Sequence, residues 1–76
     1  MISDDLPEAK RIAQTAKHRI LHRPHLTQQR LWCEFDQGQL FIRGQVPSFY
    51  FKQLAQETVV GMEGVRHVVN EIEVVW

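Results

Sequence analysis

The sequence contains a single cysteine, Cys33, and no apolar run that approaches the roughly 20 residues needed to span a bilayer. One cysteine excludes an intramolecular disulfide and a four-cysteine zinc site. Because no histidine or carboxylate is arranged to activate it, Cys33 is interpreted as a small core residue. The first ten residues, MISDDLPEAK, lack the basic start and apolar run of a secretory signal. The sequence as given therefore predicts a cytoplasmic protein, with envelope association left open.

Motifs of enzyme chemistry are also lacking, which predicts a protein that is not an enzyme and needs no cofactor. The sequence has no glycine-rich phosphate loop, no nucleophile elbow and no paired-carboxylate motif. Its 76 residues suffice for one small domain, placed over residues 1–76 with a core over about 5–75. A chain of this length leaves little room for a deep pocket.

Net charge is zero, but acids and bases are unevenly distributed along the chain. Residues 9–33 contain no acid, whereas acids dominate before and after this block. The bases of the block are Lys10, Arg11, Lys17, Arg19, Arg23 and Arg30. The stretch HRILHRPH, residues 18–25, lies within it and adds three histidines. This uneven distribution of charge favours an anionic partner for the basic block.

Hydrophobic periodicity predicts five elements in the order αββαβ. A first helix is expected from Leu6 to His22, with Asp5 as its cap and Pro24 ending it. Alternating residues over 31–46, broken by a turn at 36–38, predict a β-hairpin. A second helix is expected from Phe49 to Met62 with Ser48 as its cap, and a last strand from about 67 to 75.

The order of elements predicts an α+β fold. A strand–helix–strand unit is nearly always a right-handed crossover between parallel strands, whereas the hairpin strands are antiparallel. We expect a mixed three-stranded sheet of order 1-2-3, with strands 2 and 3 parallel and both helices packed on one face. The other face is then open, and an exposed apolar patch there is typical of a contact surface. Its candidate interaction residues are Trp32, Phe41, Val69 and Val75, among which Trp32 and Phe41 are candidates for an exposed aromatic pair.

The stretch GQLFIRGQVPS, followed by a helix and then GVRHVVNEIEV, resembles the BON domain, a family named from bacterial osmotic-stress and nodulation proteins. The matching positions are Gly38, Leu40, Ile42, Gly44, Val46, Ser48, Ala55, Val59, Gly64, Val65, Val68, Asn70, Ile72 and Val74. The resemblance covers roughly residues 5–75. It implies the αββαβ fold and a non-catalytic module that associates with phospholipid or other envelope components. The matching glycines and valines carry over the fold and not a site.

Metal and nucleic acid are both disfavoured as ligands. His18, His22 and His25 have a spacing that can hold zinc, but no acid lies nearby to orient them and Arg19 and Arg23 repel a cation. The stretch GMEG at 61–64 matches the G-x-x-G loop of KH domains only formally, because Glu63 repels phosphate and the chain has no overall basic charge.

The class of function that remains is association with an anionic surface or with a protein partner. The candidate anion-binding or lipid-binding residues are Lys17, Arg19, His22, Arg23, His25 and Arg30. Anionic headgroups attract such residues, and protonation of the histidines below about pH 6.5 strengthens the attraction. A solvated polar helix end accounts for the same residues. The alternative function is a module for a protein partner or a homodimer, using the open sheet face or a free strand edge.

Overall fold

The computed structural model describes residues 7–76. The elements are α1 (Glu8–Leu21), β1 (Arg30–Asp36), β2 (Gln39–Val46), α2 (Phe49–Val59) and β3 (His67–Val74). β2 is the central strand, antiparallel to β1 and parallel to β3. The predicted order αββαβ and the mixed sheet of order 1-2-3 are confirmed.

Two predicted helix ends differ from the structure. The expected cap Asp5 and first residue Leu6 lie outside the described residues, within which α1 begins at Glu8 after Pro7. α2 ends at Val59 rather than at Met62, because Val60 is extended and Gly61 has a φ of +88°. Ser48 caps α2 as predicted, accepting a hydrogen bond from the Phe51 backbone N–H at 3.4 Å.

The core lies between the inner face of the sheet and the two helices. α1 contributes Ala16 and Ile20, as the apolar spacing predicts, and both are fully buried. The inward-facing strand residues Leu40, Ile42 and Ile72 meet them. Leu26, in the loop after α1, is also fully buried, although no periodic pattern marked it. Burial of these side chains is the principal favourable contribution to the folding of such a small chain.

Asn70 has the inward parity of β3 but lies on the edge strand, where its polar side chain finds partners. Its Nδ2 donates to the Lys52 carbonyl oxygen at 2.9 Å and to Gln56 Oε1 at 3.2 Å, both on α2. Its Oδ1 accepts a hydrogen bond from the Ile72 backbone N–H at 3.1 Å. The residue thereby ties α2 to β3.

Cys33 lies on the inner face of β1 and is half-buried against the core. Burial raises the pKa of its thiol to about 11, and the positive charge of Lys17 opposes this rise only in part. A thiol in this setting is protonated at neutral pH, in agreement with the interpretation of Cys33 as a packing residue.

The backbone at Gly44, where β2 passes β1, leaves no room for a side chain. A Cβ there would lie 2.0 Å from the Arg30 carbonyl oxygen, and the φ of +138° is a conformation that L side chains rarely adopt. Gly61 also has a positive φ, but a Cβ there would have nothing within 4 Å.

We predict that Gly44→Ala lowers the free energy of unfolding by about 3 kcal/mol or more, since both strain and a backbone clash oppose it. Gly61→Ala, the matched control, should cost about 1 kcal/mol from backbone strain alone. Urea unfolding followed by circular dichroism measures both values. Equal losses in the two variants would contradict the close approach of β1 and β2 at Gly44.

We also predict that Cys33 reacts slowly with a disulfide reagent in the folded protein. At pH 8 its thiolate fraction is roughly one hundredth of that of an exposed cysteine, and the core further limits access. Reaction followed by absorbance should accelerate at least about a hundredfold in denaturing urea. Equal rates with and without urea would show that the thiol is exposed.

Candidate anion-binding and interaction surfaces

The strand register brings several chain segments to one end of the sheet. Arg30 begins β1 and pairs with Gln45, while Val46 ends β2 and pairs with Val74. The Val75 backbone N–H then donates to the Val46 carbonyl oxygen at 2.8 Å. α2 begins at Phe49, directly after β2, so its first turn lies at this same end.

This end presents large apolar side chains to solvent. Phe49 is 67% exposed, Tyr50 is 58% exposed and Val75 is 43% exposed. Basic groups stand beside the rings: the His25 ring lies 5.9 Å from that of Tyr50, and the Lys52 ammonium lies 5.7 Å from the Phe49 centroid. We call this surface the aromatic end; its residues are His25, Arg30, Phe49, Tyr50, Lys52 and Val75.

The aromatic end is positive as well as apolar. Residues 22–30 and 45–53, which supply all of its residues except Val75, contain no aspartate or glutamate. Two acids border it: Glu73 accepts a hydrogen bond from Gln45 beside Arg30, and Glu57 lines one cavity with Phe49 and Lys52. Both ion pairs found within residues 7–76 belong to Arg43, on the outer face of the sheet. The basic groups at the aromatic end form no ion pair among the described residues, so they attract anions.

A second basic surface lies where the last turn of α1 passes the end of α2. His18, Arg19, His22, Arg23 and Thr58 line a shallow groove of about 300 Å³ there. The imidazole rings of His18 and His22 stack at 5.8 Å. Arg23 Nε donates to Thr58 Oγ1 at 3.0 Å, so α2 holds the guanidinium in place. We call this feature the α1–α2 groove.

The structure divides the basic residues that the sequence grouped together. Lys17 lies on the side of α1 that faces β1, where its charge acts on Cys33. Arg19, His22 and Arg23 line the α1–α2 groove. The other two predicted residues, His25 and Arg30, lie at the aromatic end.

Sequence reasoning did not place His18, Phe49, Tyr50 or Lys52 in a binding surface. Phe49 and Tyr50 fall outside the apolar stripe of α2. Residues outside the buried stripe of a helix face solvent, so their positions in the sequence indicate two exposed aromatic side chains. Lys52 joins the basic set only because α2 starts at this end of the sheet. His18 was considered as a metal ligand alone, although its position four residues before His22 places both on one helix face.

The open sheet face is dominated by Arg43. In the strand register Trp32 lies opposite Arg43, and Phe41 lies opposite Glu34. The Arg43 guanidinium stands 5.0 Å from the Phe41 centroid. It pairs with Glu34 on β1 and donates from Nε to Glu71 on β3 at 2.7 Å.

This arrangement changes the expectation for the four predicted interaction residues. The aromatic contacts among residues 7–76 do not include a Trp32–Phe41 pair, because the arginine covers Phe41 instead. Phe41 and Val69 are half-buried, whereas Trp32 and Val75 are exposed. Their face is a polar network with scattered apolar groups rather than one aromatic patch.

The described part of the chain has neither a cluster of metal-binding side chains nor a membrane-spanning helix. Residues 7–76 contain no group of three or more histidine, cysteine, aspartate or glutamate side chains placed to hold a metal ion. Neither α1 nor α2 has the length and apolar character needed to cross a bilayer.

Comparison with known proteins agrees with the fold. A search of curated proteins gives no match to the chain. The family model described as BON domain matches residues 8–75, which is nearly the whole sequence and contains all five elements. BON domains are in general non-catalytic binding domains. Since the αββαβ order, the mixed sheet and the family model all agree, the chain belongs to the BON-domain family.

Proposed function

We propose that this BON domain is a non-catalytic module that associates with anionic phospholipid surfaces through its aromatic end. The observation that carries the proposal is the coincidence, at one end of the sheet, of exposed Phe49 and Tyr50 with basic side chains that form no ion pair within residues 7–76. A surface that is both apolar and basic is complementary to the interface of an anionic bilayer.

Each half of this surface contributes in a different way. Phe49 and Tyr50 insert their rings at the level of the headgroups and remove apolar area from water. Arg30 and Lys52 remain at the headgroup phosphates, each contributing about 1 kcal/mol of attraction. His25 lies beside the Tyr50 ring and adds a further hydrogen-bond donor at the same end.

The acidic outer face of the sheet supports this orientation. Glu34 and Glu71 are paired with Arg43, but Asp36 and Glu73 add further negative charge to the same side of the sheet. Negative headgroups repel this face. Docking through the aromatic end places its basic side chains against the lipid and turns the acidic outer face of the sheet away from it.

We predict that Phe49→Ser combined with Tyr50→Ser weakens binding to vesicles containing anionic phosphatidylglycerol by about tenfold or more, because two rings no longer leave water. Arg30→Gln combined with Lys52→Gln should weaken binding and flatten its dependence on salt, because screening then has fewer charges to act on. Sedimentation with vesicles over a range of salt concentrations measures both effects, with neutral vesicles as the reference.

Trp32→Ser is the matched control, since Trp32 is a similarly exposed aromatic residue on the sheet face. It should leave vesicle binding unchanged. Equal binding to anionic and neutral vesicles would contradict the proposal. Loss of a homodimer or of a protein partner on Trp32→Ala with Phe41→Ala, without any effect of the Phe49 and Tyr50 changes, would instead assign the function to the sheet face.

A further inference from the structure

The α1–α2 groove is lined mainly by basic side chains, whereas the aromatic end combines basic side chains with exposed rings. α1 lines it with His18 and Arg19, the turn after α1 with His22 and Arg23, and α2 with the uncharged Thr58. All four basic side chains are exposed, and none takes part in an ion pair within residues 7–76. The side chains that line this shallow groove carry several hydrogen-bond donors, and no acidic residue lines it.

Arg23 is held by a hydrogen bond to α2. The Thr58 hydroxyl donates to the Leu54 carbonyl oxygen at 2.7 Å, which fixes its remaining lone pairs. One of them accepts from Arg23 Nε at 3.0 Å. Because Nε is held by α2, the two terminal nitrogens of the guanidinium are left for a second acceptor, in the geometry that suits phosphate oxygens.

The two histidines supply the other side of the groove. His18 and His22 are one helical turn apart, and their rings stack at 5.8 Å with an angle of 28° between the planes. Each imidazole carries at least one N–H donor, and both residues line the groove. The groove therefore offers an anion two ring donors in addition to the guanidinium groups.

We infer that the α1–α2 groove binds a phosphate group carried as a monoester, with Arg19 and Arg23 as its main donors and His18 and His22 completing the site. A phosphomonoester carries close to two negative charges at neutral pH and presents three oxygens, which matches a set of convergent cationic donors. A phosphodiester carries one charge and has one fewer free oxygen. The ligand is either the headgroup of a phosphomonoester lipid or a soluble phosphomonoester.

Two acidic residues border the site beside Arg19. Arg19 also lines a neighbouring cavity with Glu8, Arg11 and Glu63, and among the described residues it forms no ion pair with either acid. The negative charge of Glu63 opposes an anion near Arg19. We therefore expect Glu63→Gln to tighten phosphate binding.

The first test titrates inorganic phosphate and then phosphoserine into the protein at pH 6.5, with the arginine Nε–H signals followed by NMR. We expect the signals of Arg19 and Arg23 to move together and that of Arg66 to stay in place. Arg19→Gln and Arg23→Gln should each weaken phosphate binding about tenfold or more, the effect of losing a charge-assisted hydrogen bond. Arg66→Gln is the matched control, since Arg66 is exposed and lies in neither binding surface, and it should have no effect.

One further measurement separates a specific site from non-specific attraction of anions. Thr58→Val keeps the shape and charge of the groove but removes the acceptor that orients Arg23, so it should weaken binding several-fold. If Thr58→Val and Arg66→Gln behave alike, or if all arginine signals move equally, the inference is wrong.

Vesicles identify the source of the phosphate. If the ligand is a lipid, binding to phosphatidic acid should exceed binding to phosphatidylglycerol at equal charge, and Arg23→Gln should remove this difference. If the inorganic and soluble phosphates bind but the vesicles show no such difference, the site is assigned to soluble phosphomonoesters. Only the lipid outcome rests on the proposed function, whose own failure is read from the Phe49 and Tyr50 variants.

Discussion

The parallel pairing of β2 with β3 is the constraint on which both binding surfaces depend. Parallel neighbours require a connection that returns to the starting end of the sheet, and α2 provides it across one face. The crossover fixes both ends of α2 at once. Its first turn lies where β2 ends, which brings Tyr50 and Phe51 beside His25. Its last turn lies against α1, which brings Thr58 to Arg23.

The same topology separates charge between the two sides of the molecule. Most of the basic block of the sequence falls on α1 and the loop after it. Four of the six later acids fall on the strands, whereas Glu57 is on α2 and Glu63 follows it. On the sheet, Arg43 stands at the middle of the central strand between Glu34 and Glu71. An exposed network of this kind contributes little to stability. With Arg43 paired, the unpaired basic side chains include those of the α1–α2 groove and the aromatic end, which are the two surfaces proposed to bind anions.

The sequence was sufficient for the fold because each element carried a local signal. Alternation in the hairpin, the Ser48 cap and the apolar spacing of α1 all agree with the structure. The binding surfaces were predicted less well, because they depend on direction rather than on order along the chain. Successive helical residues are rotated by about 100°, so Lys17 and Arg19 face different sides although only one residue separates them. Lys52 and Thr58 approach the basic loop only through the crossover, which residue spacing does not encode.

Asn70 bears on which surfaces remain for a partner. Along β3 the backbone N–H groups of His67 and Val75 point to β2, so the alternate group of Ile72 points to the free edge of the sheet. The Asn70 side chain accepts from that N–H and donates to α2. A strand added at this edge has to break both interactions, which disfavours pairing through β3. On the outer sheet face the Arg43 network pairs two of the acidic side chains, although Trp32 there is 46% exposed. The proposed association through the helical side and the aromatic end is consistent with this use of the β3 edge and the sheet face.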